Sequence, residues 1–97
     1  MFIPTTADYL DRLIKQSMET DRRFRYDTDI ADAIGITRQT VSQYRGGRNM
    51  SIIAAVKLAK LLGIHQMEAV AATMYHQSKT ADDRGLWKAT YAEYAEK

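Results

Sequence analysis

Between residues 38 and 45, a short run of polar side chains carries hydrogen-bonding groups suited to the edges of nucleic-acid bases. Wound as a helix at roughly 100° per residue, this run places Val41 and Tyr44 on one flank. The other side carries Arg38, Gln39, Ser42, Gln43 and Arg45. Arginine forks onto guanine O6 and N7, glutamine pairs with adenine N6 and N7, and serine serves either base type. The run predicts a base-reading face, and the alternative is a solvated polar face on an ordinary helix.

A preceding helix and a tight turn must hold that face in place. The apolar face of the preceding short helix consists of Ile30, Ala31 and Ile34. Gly35 follows, where helices commonly end in a left-handed conformation, and Thr37 is a preferred N-cap residue for the next helix. Gly46–Gly47 ends that second helix by the same backbone logic. Helix, short turn and helix form a unit whose second helix can enter the major groove, and we call residues 38–45 the reading helix.

Positive charge is concentrated around the same segment. Residues 33–67 contain no acidic side chain and five basic ones, Arg38, Arg45, Arg48, Lys57 and Lys60. The whole chain has a net charge of only +2, so the remainder is net negative. This distribution is an electrostatic footprint for phosphate, with Arg45 and Arg48 as the better candidates. For Lys57 and Lys60 the alternative is that they only solubilise the outer side of a helix.

Composition predicts one small globular domain, because the chain has 97 residues, no cysteine and 45% apolar residues. Without cysteine there is no disulfide framework and no thiolate metal cage. The N-terminal residues 1–4 are too short for the apolar region of a signal peptide, and no run approaches the ~18 apolar residues of a membrane span. We therefore expect a cytoplasmic protein without a membrane partner, associated with the nucleoid when it is bound to DNA.

Apolar residues recur at helical spacing along the whole chain, which predicts an all-α fold. The first helix begins with Thr5 or Thr6 as N-cap and continues to about Met18, and the fourth begins after Ser51 and ends before Gly63. Predicted core residues of the first helix are Tyr9, Leu10, Leu13 and Ile14. Those of the fourth are Ile52, Ala55, Leu58, Ala59 and Leu62. Those of the fifth are Met67, Val70, Ala71 and Met74.

A final helix is predicted from Thr80, as N-cap, to about Glu96. One face of this helix carries Trp87, Tyr91 and Tyr94. These aromatic residues either pack back onto the first and fifth helices or form a dimer interface, where tryptophan and tyrosine are enriched. The expected organisation is therefore a domain over residues 1–79, with its motif at 27–47, and a C-terminal helix over 80–97.

The pattern resembles the Cro and lambda-repressor-type helix-turn-helix family, especially small phage-encoded regulators. The residues that carry the resemblance are Ile30-Ala31, Ile34-Gly35-Ile36-Thr37, Val41-Ser42, Tyr44, Leu58-Ala59 and Leu61-Leu62-Gly63-Ile64. The similarity covers about residues 7–75. It implies a five-helix all-α domain, here with an additional C-terminal helix. It also implies a phage or prophage-type repressor that binds a palindromic double-stranded DNA operator as a homodimer.

The resemblance also implies roles for individual residues. The expected base-reading residues are Arg38, Gln39, Ser42 and Gln43. From the resemblance together with the charge distribution and the helix starts, the expected phosphate-binding residues are Thr28, Thr37, Thr40, Arg45, Arg48, Asn49 and Ser51. The family often has glutamine at the first motif position, where the side chain donates to phosphate, but this chain has Asp27. A carboxylate cannot donate in that way, so Asp27 is interpreted as the N-cap of the second helix.

Other classes of function find little support in the sequence. His65 and His76 have no clustered carboxylates at metal-ligand spacing, and both are expected to face solvent. Nucleophile elbows, phosphate-cradling glycine loops and Cys–His pairs are missing from the sequence. We therefore expect no enzyme activity, metal, cofactor or small-molecule ligand. The alternative is a protein-interaction module, such as an antitoxin or partner-binding regulator, without DNA recognition of its own; it predicts acidic or apolar residues on the outer face of the reading helix.

Overall fold

The computed structural model describes residues 1–95, which form six α-helices and no strand. The helices are α1 (Thr6–Met18), α2 (Asp27–Ile34), α3 (Arg38–Arg45), α4 (Ile52–Leu62), α5 (Gln66–Gln77) and α6 (Ala81–Ala95). The predicted all-α fold with an additional C-terminal helix is confirmed. Glu96, the predicted end of that helix, lies outside the described residues. None of the helices in this part of the chain is long and apolar enough to cross a bilayer.

Helix α1 begins where the sequence predicts, through a reciprocal pair of hydrogen bonds. Thr5 Oγ1 accepts from the backbone N–H of Asp8 at 3.2 Å, and the Asp8 carboxylate accepts from the backbone N–H of Thr5 at 2.9 Å. Tyr9, Leu10 and Leu13 are buried as expected. Ile14 is only partly buried and packs at the edge of the core. The buried face of α1 is therefore narrower than predicted.

The prediction that Asp27 caps α2 is wrong. Tyr26 holds the extended N-cap conformation, and Asp27 is the first helical residue. The Asp29 carboxylate accepts from the backbone N–H groups of Arg25 and Tyr26, each at 3.0 Å. Because Asp29 reaches back to these donors, the helix begins without a cap from Asp27. The Asp27 carboxylate is left for a contact with another helix.

The turn between α2 and α3 follows the sequence signals. Gly35 has a φ of +74°, and the backbone N–H of Ile36 donates to the carbonyl of Ala31 at 3.0 Å. Thr37 Oγ1 accepts from the backbone N–H of Thr40 at 3.0 Å, so Thr37 is the N-cap of α3. At the far end of α3, Gly47 adopts a left-handed φ of +110°.

The core of the helix-turn-helix lies against α1 and α4, and α5 packs on α4. Ile30, Ala31 and Ile34 of α2 are buried, as are Ala55, Leu58, Ala59 and Leu62 of α4 and Val70 and Ala71 of α5. Met67 and Met74 pack at its edge, half-buried. The prediction for Ile52 is wrong, because this side chain is 44% exposed. The buried face of α4 starts at Ala54, so Ile52 lies ahead of the core in the first turn.

Helix α6 packs against α5. Thr80 Oγ1 accepts from the backbone N–H of Asp83 at 3.1 Å, which matches the predicted start. Tyr91 is buried, and Trp87 packs half-buried against the same core. Tyr94 stacks on His65 with 4.5 Å between ring centroids. The aromatic face of α6 thus contributes to packing within one copy of the chain, as one of the two alternatives expected.

One polar group is buried without compensation. Tyr9 is 1% exposed, and its hydroxyl has no hydrogen-bond partner among residues 1–95. Burial, and to a smaller extent the neighbouring Tyr91 and Glu68, raise the pKa of Tyr9 well above its ordinary value. The folded chain therefore strongly favours the neutral phenol.

We predict that Tyr9→Phe raises the free energy of unfolding by about 1 kcal/mol, because a buried unsatisfied polar group costs about 1–3 kcal/mol. Urea unfolding measures the change. Above pH 10, which is about the ordinary pKa of tyrosine, the unfolded wild type loses the Tyr9 proton while the folded state retains it. The advantage of the Phe variant should therefore grow as the pH rises above 10. A loss of stability at neutral pH would contradict an unsatisfied hydroxyl.

Two glycines provide a matched pair for a second prediction. Gly35→Ala should lower the free energy of unfolding by about 1–2 kcal/mol, because its left-handed φ of +74° strains a side-chain-bearing residue. Gly85→Ala should raise it by about 0.5–1 kcal/mol, because Gly85 lies inside α6. A Cβ there meets no atom within 4 Å. Equal effects of the two changes in urea unfolding would contradict the assigned backbone conformations.

Candidate nucleic-acid interface

The reading helix, α3, is held by its apolar flank. Val41 is 0% exposed and Tyr44 is 4% exposed, so the rotation of the helix about its axis is fixed. The four residues predicted to read bases all lie exposed, away from the core: Arg38, Gln39, Ser42 and Gln43. The segregation of apolar and polar sides predicted from the sequence is confirmed for these residues. Their side chains can present guanidinium, amide and hydroxyl groups to a ligand.

Two threonine hydroxyls lie at the start of the reading helix. Thr37 Oγ1 and Thr40 Oγ1 are 2.9 Å apart, and Thr37 Oγ1 also accepts the backbone N–H of Thr40. One hydroxyl hydrogen is used between the two oxygens, so the pair keeps one hydrogen to donate outward. Thr28, another predicted phosphate ligand, is exposed in the first turn of α2. These hydroxyls can serve as neutral donors to an anion.

Arg48 brings the loop after α3 against the reading helix. Its guanidinium donates to Oε1 of Gln43 and lies 6.0 Å above the centroid of the Tyr44 ring. The backbone bend at Gly47 makes this contact possible, and the backbone N–H of Arg48 donates to the carbonyl of Gln43 at 3.1 Å. One lone pair of the Gln43 amide oxygen is thereby used, while the amide NH₂ group keeps its donors. Arg48 therefore orients a predicted base-reading side chain.

The remaining loop residues lie between α3 and α4. Asn49 is half-buried. Ser51 is the N-cap of α4, and its Oγ accepts the backbone N–H of Ala54 at 3.1 Å. Because Ser51 Oγ acts as an acceptor in this bond, its hydroxyl hydrogen can still be donated to a ligand. The structure thus brings Arg48, Asn49 and Ser51 together next to the C-terminal end of the reading helix.

Arg45 differs from the other predicted phosphate ligands because it faces carboxylates. Its Nε and Nη2 donate to Asp27 at 3.2 and 2.8 Å, and its Nη1 donates to Asp11. The hydrogen bonds to Asp27, followed by the one to Asp11, raise the pKa of Arg45 despite its partial burial. A phosphate contact by Arg45 stays a prediction, but the side chain already serves α1 and α2.

An open cleft lies between the N-terminus of α2 and the reading helix. It is lined by Tyr26, Asp27, Thr28, Arg38, Ser42 and Arg45. Sequence reasoning missed Tyr26, which is 68% exposed at this edge. Its aromatic ring and hydroxyl lie next to predicted ligands. A sequence signal for Tyr26 does exist. It is an aromatic residue directly before α2, whose apolar face is already formed by other residues, so the ring is not needed in the core.

Lys57 supports the motif from α4. Its ammonium group donates to the carbonyl of Ile34 at 3.2 Å, at the C-terminal end of α2. A cation there offsets the negative end of the helix dipole. Lys57 and Lys60 are both exposed. Lys57 additionally contributes to the fold through its contact with α2.

The two histidines lie in different places. His76 lines a cleft with Tyr44, Arg48 and Asn49, whereas His65 lies beside Tyr94 of α6. His65 is exposed, as expected, but it is also the N-cap of α5, where its Nδ1 accepts the backbone N–H of Met67 at 3.0 Å. The prediction for His76 is wrong, because this half-buried side chain lies with Nε2 2.9 Å from the carbonyl oxygen of Ile3. Within residues 1–95, no group of three His, Asp or Glu side chains could hold a metal ion.

Comparison with known proteins gives one family. Residues 27–65 match the helix-turn-helix family model. The matched segment begins at the first residue of α2 and ends at the N-cap of α5, so it includes α2, α3 and α4. Comparison with curated proteins and with solved structures gives no match. The match and the geometry of the turn agree: residues 27–65 of this chain form a helix-turn-helix segment, consistent with the Cro and lambda-repressor type.

Proposed function

We propose that this chain is a sequence-specific transcription regulator that binds double-stranded DNA and acts as a repressor. One observation carries the proposal. The reading helix buries Val41 and Tyr44 and exposes its Arg38, Gln39, Ser42 and Gln43 side chains. The alternative of a protein-interaction module predicts acidic or apolar residues on this face, and none of these four side chains is either.

The exposed residues divide into two proposed roles. Arg38, at the start of the reading helix, is suited to guanine, while Gln39 and Gln43 are suited to adenine. Ser42 completes this base-reading set. Around it lie the proposed phosphate ligands Thr28, Thr37, Thr40, Arg48, Asn49 and Ser51. Phosphate contacts would set the position of the protein on the duplex, and base contacts would select the sequence.

We extend the proposal to a homodimer on a palindromic operator. One reading helix of eight residues makes few base contacts, and two linked copies combine their binding energies. Half-sites about one helical turn apart, roughly 34–36 Å, suit such a pair. On α6, Trp87 and Tyr94 are half-buried, and the neighbouring Leu86 is 63% exposed. The surface that these side chains leave exposed is the proposed dimer contact, to which the buried Tyr91 adds little. Such a dimer would repress by covering a promoter, which needs binding alone.

Selection of bound fragments from random DNA duplexes at near-physiological salt tests the proposal. We expect enrichment of one sequence with two related half-sites spaced by about one helical turn. The matched control is the chain with Gln39→Ala and Gln43→Ala together, which should enrich a different or weaker sequence because two base-reading amides are lost. Failure of the wild type to enrich any sequence would favour the protein-interaction alternative.

The selected operator allows a sharper prediction for Arg38. Arg38→Ala should cost about 1–3 kcal/mol of binding free energy and relax the preference at one base pair. Lys60→Ala removes the same charge from an exposed position on α4 and should leave that preference unchanged. Binding titrations against operators substituted one base pair at a time measure both effects. An equal loss on every sequence would assign Arg38 to phosphate instead.

A further inference from the structure

The last residue of the reading helix joins three helices through one side chain. Arg45 Nε lies 3.2 Å from Asp27 Oδ2, and Arg45 Nη2 lies 2.8 Å from Asp27 Oδ1. Arg45 Nη1 donates to Asp11 of α1. The fork on Asp27 is the bidentate geometry that makes arginine–carboxylate pairs strong and directional. The Arg45 side chain is 26% exposed, so the pair is partly shielded from water.

Helix dipoles favour the two charges where they stand. Asp27 lies in the first turn of α2, at the positive end of that helix, and Arg45 lies in the last turn of α3, at the negative end. Each charge is therefore favoured by its helix dipole as well as by its partner. The helix dipoles stabilise each charge separately, in addition to the attraction between the two.

The charges around Arg45 oppose a phosphate contact. Although Arg38 lines the same cleft, Asp27 and Asp11 accept from all three nitrogens of Arg45, and each carboxylate repels a phosphate that approaches this guanidinium. Arg48 offers a contrast, because its hydrogen-bond partner on the reading helix is the neutral amide of Gln43. The two arginines near the C-terminal end of α3 thus differ in their surroundings: Arg45 faces carboxylates, and Arg48 faces a neutral amide.

We propose that Arg45 is a positioning residue rather than a phosphate ligand. Asp27 and Asp11 bind its guanidinium, so that Arg45 clamps the reading helix to α2 and α1 and does not contact the DNA backbone. The clamp fixes the C-terminal end of a helix whose middle is fixed by Val41. The part of this inference that concerns DNA rests on the proposed function. Asp27, which stands at the first position of the motif, then serves affinity indirectly by setting which arginine meets phosphate.

The salt dependence of DNA binding distinguishes a clamp from a phosphate ligand. Each phosphate contact adds about one to the slope of log affinity against log salt concentration. Arg48→Ala should therefore lower the slope by about one, whereas Arg45→Ala should leave it unchanged. Asp27→Asn should steepen the slope by up to about one, because it removes the bidentate carboxylate and leaves Arg45 held by Asp11 alone. Asp32→Asn removes the same charge from an exposed position on α2 and should leave the slope unchanged.

A measurement without DNA tests the clamp itself. Urea unfolding of the wild type, Asp27→Asn, Arg45→Ala and the double variant forms a thermodynamic cycle. We expect a coupling of about threefold or more in the unfolding equilibrium constant, as for a well-formed ion pair. A coupling of one, or a slope lowered by Arg45→Ala as much as by Arg48→Ala, would overturn the clamp. If no variant binds duplex DNA, the proposed function fails, while the coupling still decides whether the clamp exists.

Discussion

Burial of Val41 and Tyr44 is the constraint on which the rest of the site depends. A helix of eight residues is too short to be stable alone, since isolated helices below ~12–15 residues are marginal in water. Packing of these two side chains therefore supplies both the stability and the rotation of α3. A different rotation would carry glutamine amides into an apolar core, where unpaired polar groups are costly. The outward direction of Gln39 and Gln43 is thus a consequence of what the opposite side buries.

Local signals allowed the centre of the fold to be predicted from the sequence. The bounds of α3, the left-handed turn at Gly35 and the cap at Thr37 all depend on residues within a few positions of one another. The exposed position of the proposed base-reading side chains follows from helical periodicity and two apolar residues. Short-range geometry suffices for these features, because the helix-turn-helix closes through contacts near in sequence.

Some predictions failed through contacts between distant residues, whereas the cap predicted at Asp27 was displaced locally by Asp29. Asp27 pairs with Arg45, 18 residues away, and Ile3 contacts His76, 73 residues away. Helical periodicity places Arg45 on the polar side of α3 but gives no sign of a partner on another helix. Ile52 fits the apolar spacing of α4, yet no element covers its turn of the helix enough to bury it. Such outcomes depend on how the helices are arranged in space, which no local pattern encodes.

The contact between His76 and Ile3 bears on how the chain is handled in the laboratory. Ile3 is 5% exposed and belongs to the core, although it precedes the first helix. Its carbonyl accepts the Nε2–H of His76, so the first few residues are part of the folded body. Trimming the protein to its helices would open a hole beside α5 and orphan an imidazole donor. Affinity tags are therefore better joined ahead of Met1 through a flexible spacer than substituted for the leading residues.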